Sequence, residues 1–184
     1  MKAVIIGGGI AGLSAAILLR KNNWEVVINE KRTILSSKGL AFLIHPGAIE
    51  IIKSIDEKNE KKLLSRNICS FNLKNTKGDH VKSIPLYGWQ AIKRIDILGF
   101  LCSLLPEHSL IDHKDFSHFI YEKGKAIAAA FSDGSVEYGD LFIGADGGHS
   151  LVRRTIFGEV EYTKTEVKEI VCIVKGKDNQ IENN

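Results

Sequence analysis

Proline, cysteine and methionine are scarce in this 184-residue chain, with three, three and one copies. So few prolines, beside 44% hydrophobic and 26% charged residues, exclude a disordered or low-complexity polypeptide and fit a globular one. Cys69, Cys102 and Cys172 lie far apart, with no C-x-x-C pair. That excludes a disulfide framework and a cysteine-rich metal site. It implies a reducing, cytoplasmic setting in which each thiol is buried and structural. A large excess of one charge is also missing. The net charge is +3 and the basic residues are scattered, so nucleic acid is not an expected partner. The basic cluster from Lys58 to Lys62 is broken by Glu60 and reads as a solvated helix face. The six histidines show no metal-like spacing.

A comfortable membrane span is lacking too. The apolar run from Ala3 to Leu19 is short and interrupted by Gly7, Gly8, Gly9, Gly12 and Ser14. No A-x-A cleavage signal follows it. A polar helix end and a new strand follow instead, so neither a signal peptide nor stable membrane association is expected.

What is there begins with a β-α-β unit. Residues 2–6 are short, β-branched and closed by glycine, as a fully buried strand is. Residues 10–21 are good helix formers, with Leu13, Ile17 and Leu18 on one face. Residues 24–29 form a second strand, expected to be parallel to the first. Further strands are expected at 40–44, 68–73, 81–84, 110–112, 117–122, 126–131, 141–145 and 169–175. Helices are expected at 46–55, 57–64, 95–105 and 150–157. Turns fall at Lys77-Gly78-Asp79, Lys123-Gly124 and Asp133-Gly134. The tail from Gly176 to Asn184 is polar and expected to fray. A parallel start with antiparallel pieces makes this an α/β protein with insertions.

Three constellations carry chemistry. Gly7-Gly8-Gly9-Ile10-Ala11-Gly12 fits G-x-G-x-x-G between a strand and a helix. Gly7 permits the tight turn, Gly9 lets a pyrophosphate approach the backbone, and Gly12 lets the helix pack on the strand. The helix N-terminus then offers free N–H groups to phosphates. Glu30 stands 18 positions beyond Gly12, at the end of the next strand. A carboxylate there accepts hydrogen bonds from ribose hydroxyls. It also disfavours a 2′-phosphate, an argument that Lys31 and Arg32 soften without reversing. Together these residues predict a site for the ADP half of a dinucleotide.

The second constellation, Gly144-Ala145-Asp146-Gly147-Gly148-His149-Ser150, again places glycines and a carboxylate between strand and helix. Its spacing allows two readings: Asp146 near a ribose or pyrophosphate, or an Asp-Gly turn with Ser150 capping a helix. The third is Arg94 at a helix start, within reach of a phosphate or a flavin edge, or simply solvated beside Lys93.

The stretches VIIGGGIAGLSAAILLRKNNWEVVINEKR, IKRIDILGFL and DLFIGADGGHSLVRRTIFG together resemble the FAD-dependent aromatic-ring hydroxylases. These are single-component flavoprotein monooxygenases like para-hydroxybenzoate hydroxylase and the tetracycline-inactivating oxygenases. The third stretch looks like the family's Asp-Gly motif, associated with FAD and NAD(P)H binding. Arg94 matches the Arg of an R-x-x-L segment in which Ile97 replaces the usual Leu.

The resemblance implies FAD as cofactor and NAD(P)H as transient electron donor. It implies a small organic or aromatic substrate. The implied cofactor-binding residues are Gly7, Gly9, Ile10, Ala11, Gly12, Glu30, Lys31, Arg94 and Asp146. No catalytic side chain is nominated, because the chemistry belongs to the flavin. The implied fold is a Rossmann-like FAD-binding domain over 1–165, with a parallel central sheet and antiparallel insertions. One inserted segment covers about 66–90. Residues 166–184 then begin a substrate-domain sheet and end in the polar tail. The family's second FAD motif, Gly-Asp-Ala-x-His, has no match here, so the fold is expected to be incomplete relative to the family. Two other readings are a non-catalytic FAD/ADP-binding module and a related FAD reductase or epoxidase.

Overall fold

Strand β1 (Lys2–Ile6) is apolar after Lys2 because both its faces are covered. The computed structural model describes residues 1–33, 35, 40–56, 63–159, 161–163 and 166. In it β1 lies between β2 (Glu25–Asn29) and β10 (Leu141–Gly144), parallel to both, and β6 (Leu110–Ile111) extends the sheet beyond β2. Ala3, Ile5, Val26 and Ile28 face a layer of helices, among them α1 (Ile10–Lys21) and α3 (Arg94–Ser103). Val4, Ile6 and Val27 face the other way, onto Phe116, Phe119, Ala129 and Phe131. Those four belong to an antiparallel sheet of β7 (Phe116–Glu122), β8 (Lys125–Phe131) and β9 (Val136–Tyr138). The parallel sheet is thus the middle layer of three. Its alternate residues feed two separate cores, as a period of two requires.

A third sheet, ordered β3-β5-β4, combines β3 (Ala41–Ile44), β4 (Arg66–Lys74) and β5 (His80–Lys93). Helix α2 (Pro46–Ile55) follows β3. Pro46 opens it, and His45 Nδ1 accepts the Gly47 N–H at 3.1 Å. The hairpin forms around the expected Gly78 turn, but β5 runs far past its expected end at Ile84. It passes through Pro85 because β3 pairs only with residues 90–93. Proline's missing N–H falls where β5 pairs with β4 alone, beside a register shift. Strand β9 was not expected, being three residues long with a central glutamate. The short helix α4 (Leu151–Phe157) begins one residue later than expected, with Ser150 as its cap. The expected strand 169–175 lies outside the described residues, as does most of the expected helix 57–64.

The cysteine expectation needs correction. Cys69 is exposed, because β4 is an edge strand with little covering either face. Cys102 is half-buried on α3, and Cys172 lies outside the described residues. Burial, and then the negative charge of Asp112, push the Cys102 thiol pKa up. A thiol-alkylating reagent at neutral pH is therefore expected to label Cys69 before Cys102. Cys102 should accelerate only at more alkaline pH than an exposed cysteine. Peptide mass spectrometry over a pH series checks this; equal rates would contradict it.

Candidate functional site

At the C-terminal end of the parallel sheet, β1, β2 and β10 each run into a turn. The three turns surround a cavity of about 580 Å³. Its wall includes Gly7, Gly8 and Gly9 after β1, Asn29 to Thr33 at the end of β2, and Ala145, Asp146, Gly147 and His149 after β10. Arg94 at the start of α3 closes another side, with Lys114, Phe116 and Arg154. Ligands of open α/β sheets bind at this edge, where strand ends diverge.

The first turn is fixed by close backbone packing. Gly7 has φ +110°, and a Cβ there would stand 2.3 Å from the Ala145 carbonyl oxygen. A Cβ on Gly12 would stand 2.0 Å from the Gly7 carbonyl oxygen. These two glycines permit the close approach of turn, helix and β10. Gly9 differs: its backbone is extended and nothing lies within 4 Å of an added Cβ. That open space faces the cavity.

Gly9 is also the N-cap of α1, and no side chain caps this helix. The first intrahelical bond is Leu13 N–H to Gly9 O at 2.9 Å. The N–H groups of Ile10, Ala11 and Gly12 therefore have no acceptor within the helix. Of these three residues none lines the cavity with its side chain. Ile10 packs towards the helix-side core and Ala11 is exposed. Whatever they offer a ligand comes from their backbone.

Glu30 is tied on both sides. Its Oε2 accepts the Gly8 N–H at 2.7 Å and its Oε1 accepts the Arg32 N–H at 3.0 Å. Its backbone N–H donates to Ile111 O, and its carbonyl accepts from Lys114 N–H, both at 2.9 Å. The carboxylate thus bridges the ends of β1 and β2 and keeps lone pairs for a further donor. Lys31 lines the same wall and is exposed.

Asp146 joins the cavity wall to the cap of α4. It lines the cavity. Its Oδ2 also accepts the N–H groups of Leu151 at 2.7 Å and Val152 at 3.2 Å, while Oδ1 accepts the Ser150 hydroxyl at 2.5 Å. Ser150 Oγ in turn accepts Arg153 N–H at 2.9 Å. The carboxylate is thus largely engaged in capping α4, with the negative charge at the helix end that favours it.

The structure brings Gly7, Gly9, Glu30, Lys31, Arg94 and Asp146 to one cavity from segments up to 139 positions apart. Sequence reasoning missed Lys114. Its Nζ donates to Asp133 at 2.5 Å and Ser135 at 2.6 Å. The hydrogen bond from Lys114, then those from Ser135, hold the Asp133 carboxyl well below the usual carboxylate range. Nothing in the sequence marks Lys114, since it reaches the site only through the pairing of β6 with β2. Among the described residues no cluster of metal-ligating side chains occurs, and no helix is long and apolar enough to cross a membrane.

A parallel sheet with a glycine turn, an uncapped helix end and an acid on the next strand defines a nucleotide-binding α/β domain. The chain belongs to the FAD binding domain family, whose model matches residues 1–182. It is 26% identical to 3-amino-4-hydroxybenzoate 2-monooxygenase of Streptomyces cremeus, over 85% of this chain and 42% of that protein. It is 27% identical to 6-hydroxynicotinate 3-monooxygenase of Pseudomonas fluorescens, over 85% and 43%. Among solved structures, 2,6-dihydroxypyridine-3-hydroxylase from Arthrobacter nicotinovorans superimposes with a TM-score of 0.73 at 25% identity. That match covers 86% of this chain and 40% of the hydroxylase. The chain therefore spans less than half the length of these two curated relatives.

Proposed function

We propose that this chain is the nucleotide-binding part of an FAD-dependent monooxygenase that hydroxylates a small organic or aromatic substrate. The single observation that carries the reading is the cavity where the Gly7–Gly12 turn, Glu30, Arg94 and the Asp146 turn converge. The relatives named as monooxygenases and a hydroxylase support the same class. On this reading residues 1–165 form the FAD-binding domain, with the β4–β5 hairpin as its inserted segment.

The residues present fit the ADP end of FAD. Space at Gly9 admits the pyrophosphate, and the free N–H groups of Ile10, Ala11 and Gly12 receive it at a helix N-terminus. Glu30 accepts the ribose hydroxyls with the lone pairs left over from Gly8 and Arg32. Arg94 and Lys31 supply positive charge to a ligand that carries two negative phosphates. Asp146 holds the opposite turn in shape. When bound, FAD supplies the redox chemistry. NAD(P)H gives two electrons, one oxygen atom of O2 enters the substrate, and the other leaves as water. The part played by this chain is to bind, orient and fix the cofactor.

This chain is expected to retain FAD after desalting, and the whole monooxygenase of which it is the nucleotide-binding part to oxidise NAD(P)H faster when a hydroxylated aromatic substrate is added. Absence of both FAD and ADP binding would overturn the assignment of the site. FAD retention with substrate-independent NAD(P)H oxidation would overturn the monooxygenase reading alone.

Gly9 offers a sharper check. Gly9→Ser places a hydroxyl where it caps the free amides of α1, so the ligand-free protein should be as stable or a few tenths of a kcal/mol more so. The same hydroxyl competes with the phosphates and fills their space. FAD affinity should fall about tenfold, within the roughly 1–3 kcal/mol cost of overpacking a close contact. Thermal melting and fluorescence titration measure the two effects. Unchanged affinity would remove Gly9 from the site.

A further inference from the structure

One wall of the cavity has almost no packing of its own. Gly147 and Gly148 have nothing within 4 Å of an added Cβ, and Gly147 sits at φ +88°. Two adjacent glycines are conformationally permissive, so hydrogen bonds rather than packing must set this turn. Asp146 and Ser150 secure its ends, as described above.

Its middle is held from outside. Arg153 Nη2 donates to the Gly148 carbonyl at 2.6 Å and to Tyr162 Oη at 2.6 Å. The Tyr162 hydroxyl donates to the same Gly148 carbonyl at 2.6 Å. The three groups close a triangle. The Tyr162 ring also lies 5.5 Å from the His149 ring, centroid to centroid, and 5.7 Å from the Arg153 guanidinium carbon. His149 itself lines the cavity. Tyr162 thus meets the turn at Gly148 and His149, from a point beyond the end of α4.

We propose that Tyr162 is a positioning residue for the nucleotide site: with Arg153 it clasps the Gly147–Gly148–His149 turn in the shape that walls the cavity. This rests on the reading of that cavity as the nucleotide site. Tyr162 touches no ligand. It acts by lowering the number of conformations the glycine pair must lose when a nucleotide binds. Because Tyr162 is 56% exposed, its removal should leave the rest of the fold in place.

The test uses the whole chain with ADP and FAD as separate probes. Tyr162→Phe removes both hydrogen bonds of the phenol and keeps the ring against His149. Amide hydrogen exchange across 147–149 in the ligand-free protein is expected to speed up. Kd for both probes is expected to weaken about three- to tenfold, the scale of one or two net hydrogen bonds. The thermal midpoint should move little. Arg153→Lys cannot span the same triangle and should weaken binding similarly, with no further loss in the double variant. Unchanged affinity in Tyr162→Phe overturns the proposal, whether or not stability falls. If the wild-type protein binds neither probe, the nucleotide reading fails and takes the positioning role with it. Exchange at 147–149 then separately reports whether the clasp exists.

Discussion

Gly12→Ala is expected to lower the thermal midpoint by about 5–10 °C and to abolish nucleotide binding with it. Two effects oppose each other here. Alanine is the better helix former, by about 1 kcal/mol in a helix interior. Against that, the new methyl would sit 2.0 Å from the Gly7 carbonyl oxygen, with Ala145 Cβ close by at 3.3 Å. The obstacle is backbone, held in turn by the packing of Gly7 on Ala145, so it cannot swing aside as a side chain would. Separating α1 from the turn costs about 2–4 kcal/mol, beyond the propensity gain. The turn it distorts leads into the α1 amides proposed to receive the phosphates. Differential scanning calorimetry and FAD titration check the two halves of the prediction. A more stable Gly12→Ala protein would show that α1 can shift freely on β1.

Glu30→Ala is expected to weaken FAD and ADP binding about 10- to 100-fold while leaving the protein folded. Hydrogen bonds to a charged group are worth about 1.5–3 kcal/mol, and the carboxylate has two duties. In the ligand-free protein it holds the N–H groups of Gly8 and Arg32. On the proposed reading it also accepts the ribose hydroxyls of a bound nucleotide. Alanine loses both; Glu30→Gln keeps a carbonyl acceptor and should lie between. Calorimetric titration with ADP isolates the effect from the flavin ring. Equal Kd values for wild type and Glu30→Ala would remove the residue from the site.

The contrast between Gly9, Gly12 and Glu30 shows what the sequence carried. G-x-G-x-x-G gave its three glycines separate roles, and the spacing to Glu30 pointed to a dinucleotide. The coordinates add the distances: an added Cβ on Gly7 or Gly12 would meet backbone at once, whereas Gly9 has open space around it. Strand β1 and helix α1 were legible because their apolar residues repeat at the periods of a doubly covered strand and a helix. Strand β9 was not, since three residues with a glutamate at the centre carry no period. The run of β5 through Pro85 was hidden for a different reason. Whether a missing N–H matters depends on whether a partner strand lies on that side, and β3 stops short of it. The exposure of Cys69 was misjudged because edge position is a property of the sheet, not of the residue.

Sequence alone determined the class of fold, the β-α-β start and the identity of the glycine turn and its acidic partner. These are encoded within some thirty consecutive residues, where covalent spacing and local periodicity suffice. Tertiary structure decided the rest of the site. Parallel pairing of β1 with β10 brings Asp146 opposite Gly7, and pairing of β2 with β6 brings Lys114 beside Glu30. For Asp146, which the sequence offered either as a ligand contact or as part of a helix-capping turn, the tertiary structure turns the carboxylate onto the α4 amides while keeping the residue in the cavity wall. Which lone pairs remain for a ligand depends on neighbours far along the chain, and the separation of residues in sequence does not record those neighbours.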